Sequence, residues 1–153
     1  MPELSIKFKI VTPECTVFED TIDQATLPVA EGEVTILPNH RSYIASLTPG
    51  EIMVRPASPA GGKGKEEILL STSGGFIEFN NNELVVLADT AERAEEIDLK
   101  RAEEAKVRAE KLKEQALTMD SEEYARVAAA IQKEAARIRV AKKHYTKKGM
   151  SLE

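Results

Sequence analysis

The sequence predicts a β-rich body followed by a pair of helices, and three observations predict it. Residues 1–90 hold all seven prolines and seven of the eight glycines, whereas residues 91–153 hold no proline and only Gly149. Proline and glycine punctuate turns, and their absence from a long stretch of Ala, Glu, Lys and Arg is what long helices require. Apolar residues alternate at period two in the first part and recur every three or four positions in the second. Charge divides at the same place: 6 Lys/Arg against 13 Asp/Glu up to Thr90, a net of −7, then 15 against 13, a net of +2. The expected units are a β-rich domain, sandwich or barrel, over 1–89 and a helical hairpin over 90–153. At 153 residues the chain is too short for a TIM barrel, which needs about 250. With 42% hydrophobic and 31% charged residues it can build a core and is not disordered throughout.

Ile6, Phe8 and Ile10 alternate with Lys7 and Lys9, so the apolar three share one face of a first strand, and Thr12-Pro13-Glu14 ends it. Further β-like runs cover residues 16–18, 22–29, 34–37, 44–47, 52–55, 67–72, 76–79 and 84–88. Turn chemistry separates them: Glu31-Gly32-Glu33, Pro38-Asn39-His40, Thr48-Pro49-Gly50, Gly74-Gly75 and Asn80-Asn81-Asn82. Short strands at this spacing predict an antiparallel sandwich or barrel, because no helix-length crossover is available for parallel pairing. Residues 57–65 hold no apolar side chain larger than alanine and read as a mobile hairpin loop. Their glycines do not make a phosphate loop, since no Gly-Lys-Ser/Thr opens a helix there.

A capping box at Asp89 and Glu92 predicts a first helix over about 91–117. Asp98, Ala102, Ala105, Ala109, Leu112 and Ala116 form one narrow stripe on it. Asp120 and Glu123 offer a second box, opening a helix that carries Tyr124, Ala128, Ile131, Ala135 and Ile138 on a matching stripe and ends before Gly149. The short connection favours an antiparallel hairpin. Alanine dominates both stripes, and burial is worth roughly 25 cal/mol per Å² of apolar surface, so the seam holds far less firmly than a leucine seam. Two readings stand side by side: a static helical pair packed on the body, or an element that exchanges partners across a gap of about a few kcal/mol.

The longest apolar runs, Ile68-Leu69-Leu70 and Leu84-Val85-Val86-Leu87-Ala88, fall far below the roughly 20 residues a membrane span needs. The start, Met1-Pro2-Glu3-Leu4, lacks the basic and apolar regions of a secretory signal, so a cytoplasmic or equivalent compartment is expected. Cys15 is alone, which excludes an internal disulfide and a cysteine zinc cluster. His40 and His144 lie in a turn and a basic tail without metal-ligand spacing, and no nucleophile and base fall together. The basic end, with Arg137, Arg139, Lys142, Lys143, Lys147 and Lys148, has only Tyr145 to stack on bases and an acidic body behind it. An acidic protein patch is therefore a better target than nucleic acid. Asp98 is the anomaly: a carboxylate on an alanine stripe is costly unless paired. It reads either as a register-fixing salt bridge, with Arg101, Lys133 or Arg137 as cation, or as part of a polar pocket where cations hold phosphates and Asp98 accepts from a base or sugar.

Taken in order, five fragments carry a resemblance. They are Val11-Thr12-Pro13, Glu31-Gly32-Glu33 with Ile36-Leu37-Pro38-Asn39-His40, Ser73-Gly74-Gly75-Phe76-Ile77-Glu78, Val86-Leu87-Ala88-Asp89-Thr90-Ala91, and Ile97-Asp98-Leu99-Lys100-Arg101-Ala102. Over essentially its full length the chain resembles the epsilon subunit of the F-type ATP synthase, called delta in mitochondria. Thr35 and Asn39 stand where many relatives carry glycine. The resemblance implies a ten-stranded β-sandwich and a helical hairpin on the central stalk, without a catalytic site or a required cofactor. It implies contact of the sandwich with the gamma subunit and the c-ring, on the cytoplasmic face of a bacterial membrane or the stromal side of a thylakoid. The helices would regulate, permitting turnover when folded and inhibiting ATP hydrolysis when extended, with Arg126, Arg137, Arg139, Lys142 and Lys143 facing an acidic segment of the beta subunit. A regulatory ATP is implied at Glu92, Ile97, Asp98, Arg101, Ala102, Lys133 and Arg137. Strong binders carry arginine where Lys133 stands, and lysine offers a point charge instead of a fork. The competing reading is a free-standing ligand-binding sandwich with a helical interaction arm.

Overall fold

The computed structural model describes residues 5–58, 64–115 and 118–150. Among them are nine strands: β1 (Ile6–Val11), β2 (Thr16–Val29), β3 (Gly32–Ile36), β4 (Tyr43–Leu47), β5 (Gly50–Pro56), β6 (Ile68–Thr72), β7 (Gly75–Asn80), β8 (Glu83–Ala88) and β9 (Ala91–Arg93). A 3-10 turn (Ala94–Glu96) and helices α1 (Leu99–Glu114) and α2 (Ser121–Lys147) follow. One layer runs β1-β8-β7-β4 and the other gathers β3, β2, β5, β6 and β9.

Strand β2 joins the two layers, which corrects its reading as two separate runs. Its first half pairs with β1, from Ile10↔Phe18 to Ile6↔Ile22, and its second half pairs with β3 and β5. Glu19, Asp20 and Thr21 break the apolar alternation and are all exposed, yet the backbone ladder runs straight through them. The register slips between Ile22 and Gln24, the kind of irregularity that bends a strand from one layer to the next. The chain therefore has nine strands among the described residues where the resemblance implied ten. All pairings are antiparallel except β1 with β8, which are parallel from Lys7↔Glu83 to Val11↔Leu87. No helix is needed for that one because the whole intervening sandwich serves as the crossover.

Between the layers lies one apolar core, in which Ile6, Phe8 and Ile10 of β1 meet Ile22, Leu27, Ile52, Val54, Ile77, Phe79, Leu84 and Val86. Each such side chain contributes roughly 1.5–3 kcal/mol on full burial, so the sandwich carries its own stability without the helices. Two turns need unusual backbone. Gly75 has φ 138°, and a Cβ there would collide with the Leu87 carbonyl. Asn39 occupies the left-handed region at φ 63°, which asparagine tolerates better than other side-chain-bearing residues. Its N–H donates to Asn82 Oδ1 at 2.6 Å, and Asn82 Nδ2 donates back to Asn39 Oδ1 at 3.1 Å, fastening the loop to the β7–β8 turn. Thr35, the other position without glycine, shares a 2.9 Å hydroxyl contact with Thr26 across the β2–β3 pair. His40 stands edge-on to Phe79 and Tyr43 in the same loop. Of the predicted loop 57–65, residues 59–63 lie outside the described residues.

The first helix starts eight residues later than the sequence predicts. Ala91–Arg93 continues as a strand against β6, with Ser71↔Glu92 in register, and the 3-10 turn follows. The true cap is Asp98, whose Oδ1 accepts from the Arg101 N–H at 2.9 Å. Glu114 ends α1, and the predicted Ala116 and Leu117 lie outside the described residues. The second start is as predicted: Asp120 Oδ1 accepts from the Glu123 N–H at 2.8 Å. Helix α2 stops at Lys147, with Gly149 at φ 66° just beyond it.

The helices pack against each other through small residues, Ala102 and Ala109 of α1 and Ala136 of α2 being buried. Leu112 and Tyr124, predicted in the seam, are 49% and 42% exposed. The buried face of α2 shifts instead to Ala136, Val140 and Ala141. That shift has a geometric cause: at 27 residues α2 is about 40 Å long against about 24 Å for the 16 residues of α1, so its last turns reach past α1 to the sheet. There Val140 and Ala141 meet Leu69, Ala94 and Ile97, with Met53, Leu99 and Tyr145 at the margin. This small second core is separate from the first and joins the hairpin to the sandwich.

Candidate functional site

A cleft of about 460 Å³ opens where β6, β9, α1 and α2 converge. Thr72 and Ser73 form its sheet side with Thr90 and Glu92, and Arg101, Arg108, Lys133, Glu134 and Arg137 reach it from the helices. Strand β9 and the cap at Asp98 build this geometry: the strand fixes Glu92 against the sheet, and the cap sets the phase of α1 so that Arg101, Ala105 and Arg108 share the cleft face.

Electrostatically the centre of the cleft is Arg137. Its Nε donates to Glu92 Oε2 at 2.8 Å, its Nη2 to Glu92 Oε1 at 3.4 Å, and its Nη1 to Glu134 Oε2 at 2.8 Å. The three side chains are only 17%, 30% and 13% exposed, so these are shielded, forked contacts of the strong kind. Burial alone pulls the guanidinium pKa down, and the hydrogen bonds to Glu92 and Glu134 more than offset it, leaving Arg137 above its ordinary value and charged throughout. Arg101, Arg108 and Lys133 form no ion pair among the described residues, so the cleft carries surplus positive charge beside this triad.

Of the seven sequence candidates, the structure brings Glu92, Arg101, Lys133 and Arg137 to the cleft and leaves Ile97, Asp98 and Ala102 away from its walls. Ile97 is buried in the second core and Ala102 between the helices. Asp98 is exposed and caps α1, so neither the seam salt bridge nor the pocket reading describes it in this arrangement. Its stripe position is an accident of spacing, created by starting the helix too early. Arg108 was missed, although its place seven residues after Arg101 puts both on one helix face. Arg137 binds Glu92 of the sandwich edge instead of Asp98, and a three-residue strand gave no periodic signal that could have brought that pair together. His40 and His144 are far apart in sequence and no group of three metal-ligating side chains exists among the described residues.

The basic end of α2 is largely occupied. Lys142 pairs with Glu103 of α1 at 3.4 Å, Lys143 with Glu51, Lys147 with Glu67 at 2.8 Å and Lys148 with Glu66 at 3.3 Å. Arg126 pairs with Glu122 one turn away on its own helix, both side chains being well exposed. No helix among the described residues is long and apolar enough to cross a membrane.

Comparison with known proteins agrees with this architecture. The family model for the beta-sandwich domain of the ATP synthase delta/epsilon chain matches residues 5–94, and that for its long alpha-helix domain matches residues 95–142. The ATP synthase epsilon chain of Dehalococcoides mccartyi is 47% identical over 105 residues, covering 69% of this chain and 70% of that one. The epsilon chain of Nitratidesulfovibrio vulgaris is 38% identical over 138 residues, covering 90% and 96%. A chain of the Euglena gracilis mitochondrial ATP synthase, from an OSCP/F1/c-ring assembly, superposes with a TM-score of 0.71 at 19% identity over 89% of this chain and 81% of that one, which shows the shared fold. With both domains matched in order and two-layered sheet and paired helices both present, the chain belongs to the ATP synthase delta/epsilon chain family.

Proposed function

We propose that this chain is a non-catalytic subunit of the central stalk of an ATP synthase, coupling ion flow to ATP synthesis through its sandwich and restraining ATP hydrolysis through its helices. The observation that carries the reading is the unequal way the two parts are held: a large closed core in the sandwich, and a hairpin joined to it by a few apolar side chains and ion pairs. A rigid head can transmit force, and a weakly attached arm can change position. The outer face of the β4-β7-β8 layer supports a partner there, since Ile44 is 75% exposed, Phe76 60% and Leu87 57%, with Phe76 and Leu87 directly paired across β7 and β8. The gamma subunit and the c-ring are the partners of the sandwich in this reading, and the beta subunit is the partner of the basic helix. The chain works at the periphery of the membrane complex, on the cytoplasmic face in a bacterium.

A second reading concerns a ligand. The uncompensated Arg101, Arg108 and Lys133 beside the Arg137 triad favour a polyanion, and regulatory ATP is the proposal for it. Phosphates would lie on those cations, and Lys133 would supply a point charge without bidentate geometry. Titration calorimetry of the full chain with millimolar ATP tests this reading: heat that Arg101→Ala abolishes supports it, and no heat ends it. The stalk reading is tested separately by co-purification with a gamma subunit. Failure of the intact chain to assemble would favour a free-standing ligand-binding protein.

A further inference from the structure

Three observations on the sandwich edge and the end of α2 belong together. Lys143, Lys147 and Lys148 lie within the last turns of α2 and its cap, where positions four apart share a face. Each meets a carboxylate of the sandwich and not of its own helix: Glu51 at the start of β5, and Glu67 and Glu66 immediately before β6. Glu51 and Glu67 keep only 23% and 28% of their side chains exposed, while Lys143 and Lys147 keep about half, so each pair joins a partly covered carboxylate to a solvent-facing ammonium and responds to salt.

We infer that the strip Glu51-Glu66-Glu67 is an internal acidic docking surface that holds the basic end of α2 on the sandwich. The inference rests on the proposed mobility of the hairpin and adds what holds it down. The apolar patch of Val140 and Ala141 on Leu69 places the helix, and the ion pairs decide how firmly it stays.

Arg55 makes the strip releasable. Its Nη2 donates to Glu67 Oε1 at 3.2 Å while Lys147 donates to Glu67 Oε2, and its Nη1 donates to Gln24 at 3.3 Å. When α2 leaves, Glu67 keeps one cation, so departure does not strand a bare carboxylate. The lowered pKa of Glu67, due first to the Lys147 hydrogen bond and next to that of Arg55, agrees with this double contact. Glu51 lacks a second cation among the described residues and makes the less forgiving of the two contacts.

The test uses the full chain in a Cys15→Ser background with spin labels at Thr16→Cys on the sandwich, away from the Ile44-Phe76-Leu87 face, and Thr146→Cys on α2. The distance distribution gives the ratio of docked to undocked helix. The Glu51→Gln/Glu67→Gln variant should lower that ratio by about three- to tenfold, two half-exposed pairs being lost, and should reduce the fall seen between low and high salt, Lys148 with Glu66 remaining. Lys143→Gln/Lys147→Gln should do the same from the other side, and the swap Glu51→Lys with Lys143→Glu, at the pair that has no second cation, should restore docking relative to either single change. An unchanged ratio with unchanged salt dependence in both double variants overturns the inference. Assembly of the same variants with a gamma subunit is read in parallel. Loss of assembly by the parent chain would strike the stalk reading, whereas normal assembly with unaltered distances would strike the docking strip alone.

Discussion

Gly75 and Glu67 show how single residues set backbone and charge in this molecule. Gly75 sits at φ 138°, with the Leu87 carbonyl and the Ala88 Cα where a Cβ would go. Gly75→Ala therefore forces β7 and β8 apart at their first pair and should cost at least about 2 kcal/mol, read as a fall in thermal midpoint of the sandwich. Asn39 illustrates the opposite case, because it holds a left-handed turn with a side chain in place and adds the reciprocal bonds to Asn82. Glu67 gives a pH dependence whose sign follows from its partners. Its folded pKa lies below the ordinary 4.5, so its stabilising contribution is fully present above that value and disappears as pH falls through the lowered folded value. Protection factors of the amides in the last turns of α2, which allow for the intrinsic slowing of exchange in acid, should therefore fall as pH drops below 4.5, and Glu67→Gln should weaken that dependence.

At the level of elements, the seam between the helices is governed by side-chain size. Ala136 is 1% exposed and Ala102 fully buried, so close approach of α1 and α2 depends on their having no more than a methyl group. Ala136→Leu should overpack the seam by about 1–3 kcal/mol and lower the helical signal before the sandwich melts, which thermal scans by circular dichroism would separate. Most strands are legible because alternation and turn residues agree, as in β1, β4, β5, β7 and β8, whereas β2 reads as two runs since Glu19, Asp20 and Thr21 interrupt its alternation. Strand β9 is not legible, since Ala91, Glu92 and Arg93 are good helix formers and their extended form comes from pairing with Leu70, Ser71 and Thr72, a tertiary effect without a local signal. The same error displaced the cap from Asp98 to Asp89 and put Asp98 into a stripe. It also hid the cleft, whose defining pair, Glu92 with Arg137, spans 45 residues. The family resemblance names Arg101 and Arg137, which both line this cleft, while Arg108 is placed beside them only by the observed phase of α1.

For the whole molecule, the separation of the two cores predicts independence of the parts. The first core contains no residue of either helix, so a fragment of residues 5–94 should fold with a cooperative transition close to that of the sandwich in the full chain, as measured by calorimetry. The hairpin alone, lacking Leu69 and the acidic carboxylates, should be largely unfolded in isolation. Strand β9 has a role in this division that goes beyond its length. It lies on the outer border of β6 and precedes the point where the helices take off, so it can remain in place whichever way they point. A border strand left bare would offer a row of unsatisfied amides and carbonyls to a neighbouring chain and invite sheet-to-sheet clumping. At three residues β9 is a border too short to template a neighbouring strand, and it thus serves as a hem, letting the arm lift without giving the body a long sticky side.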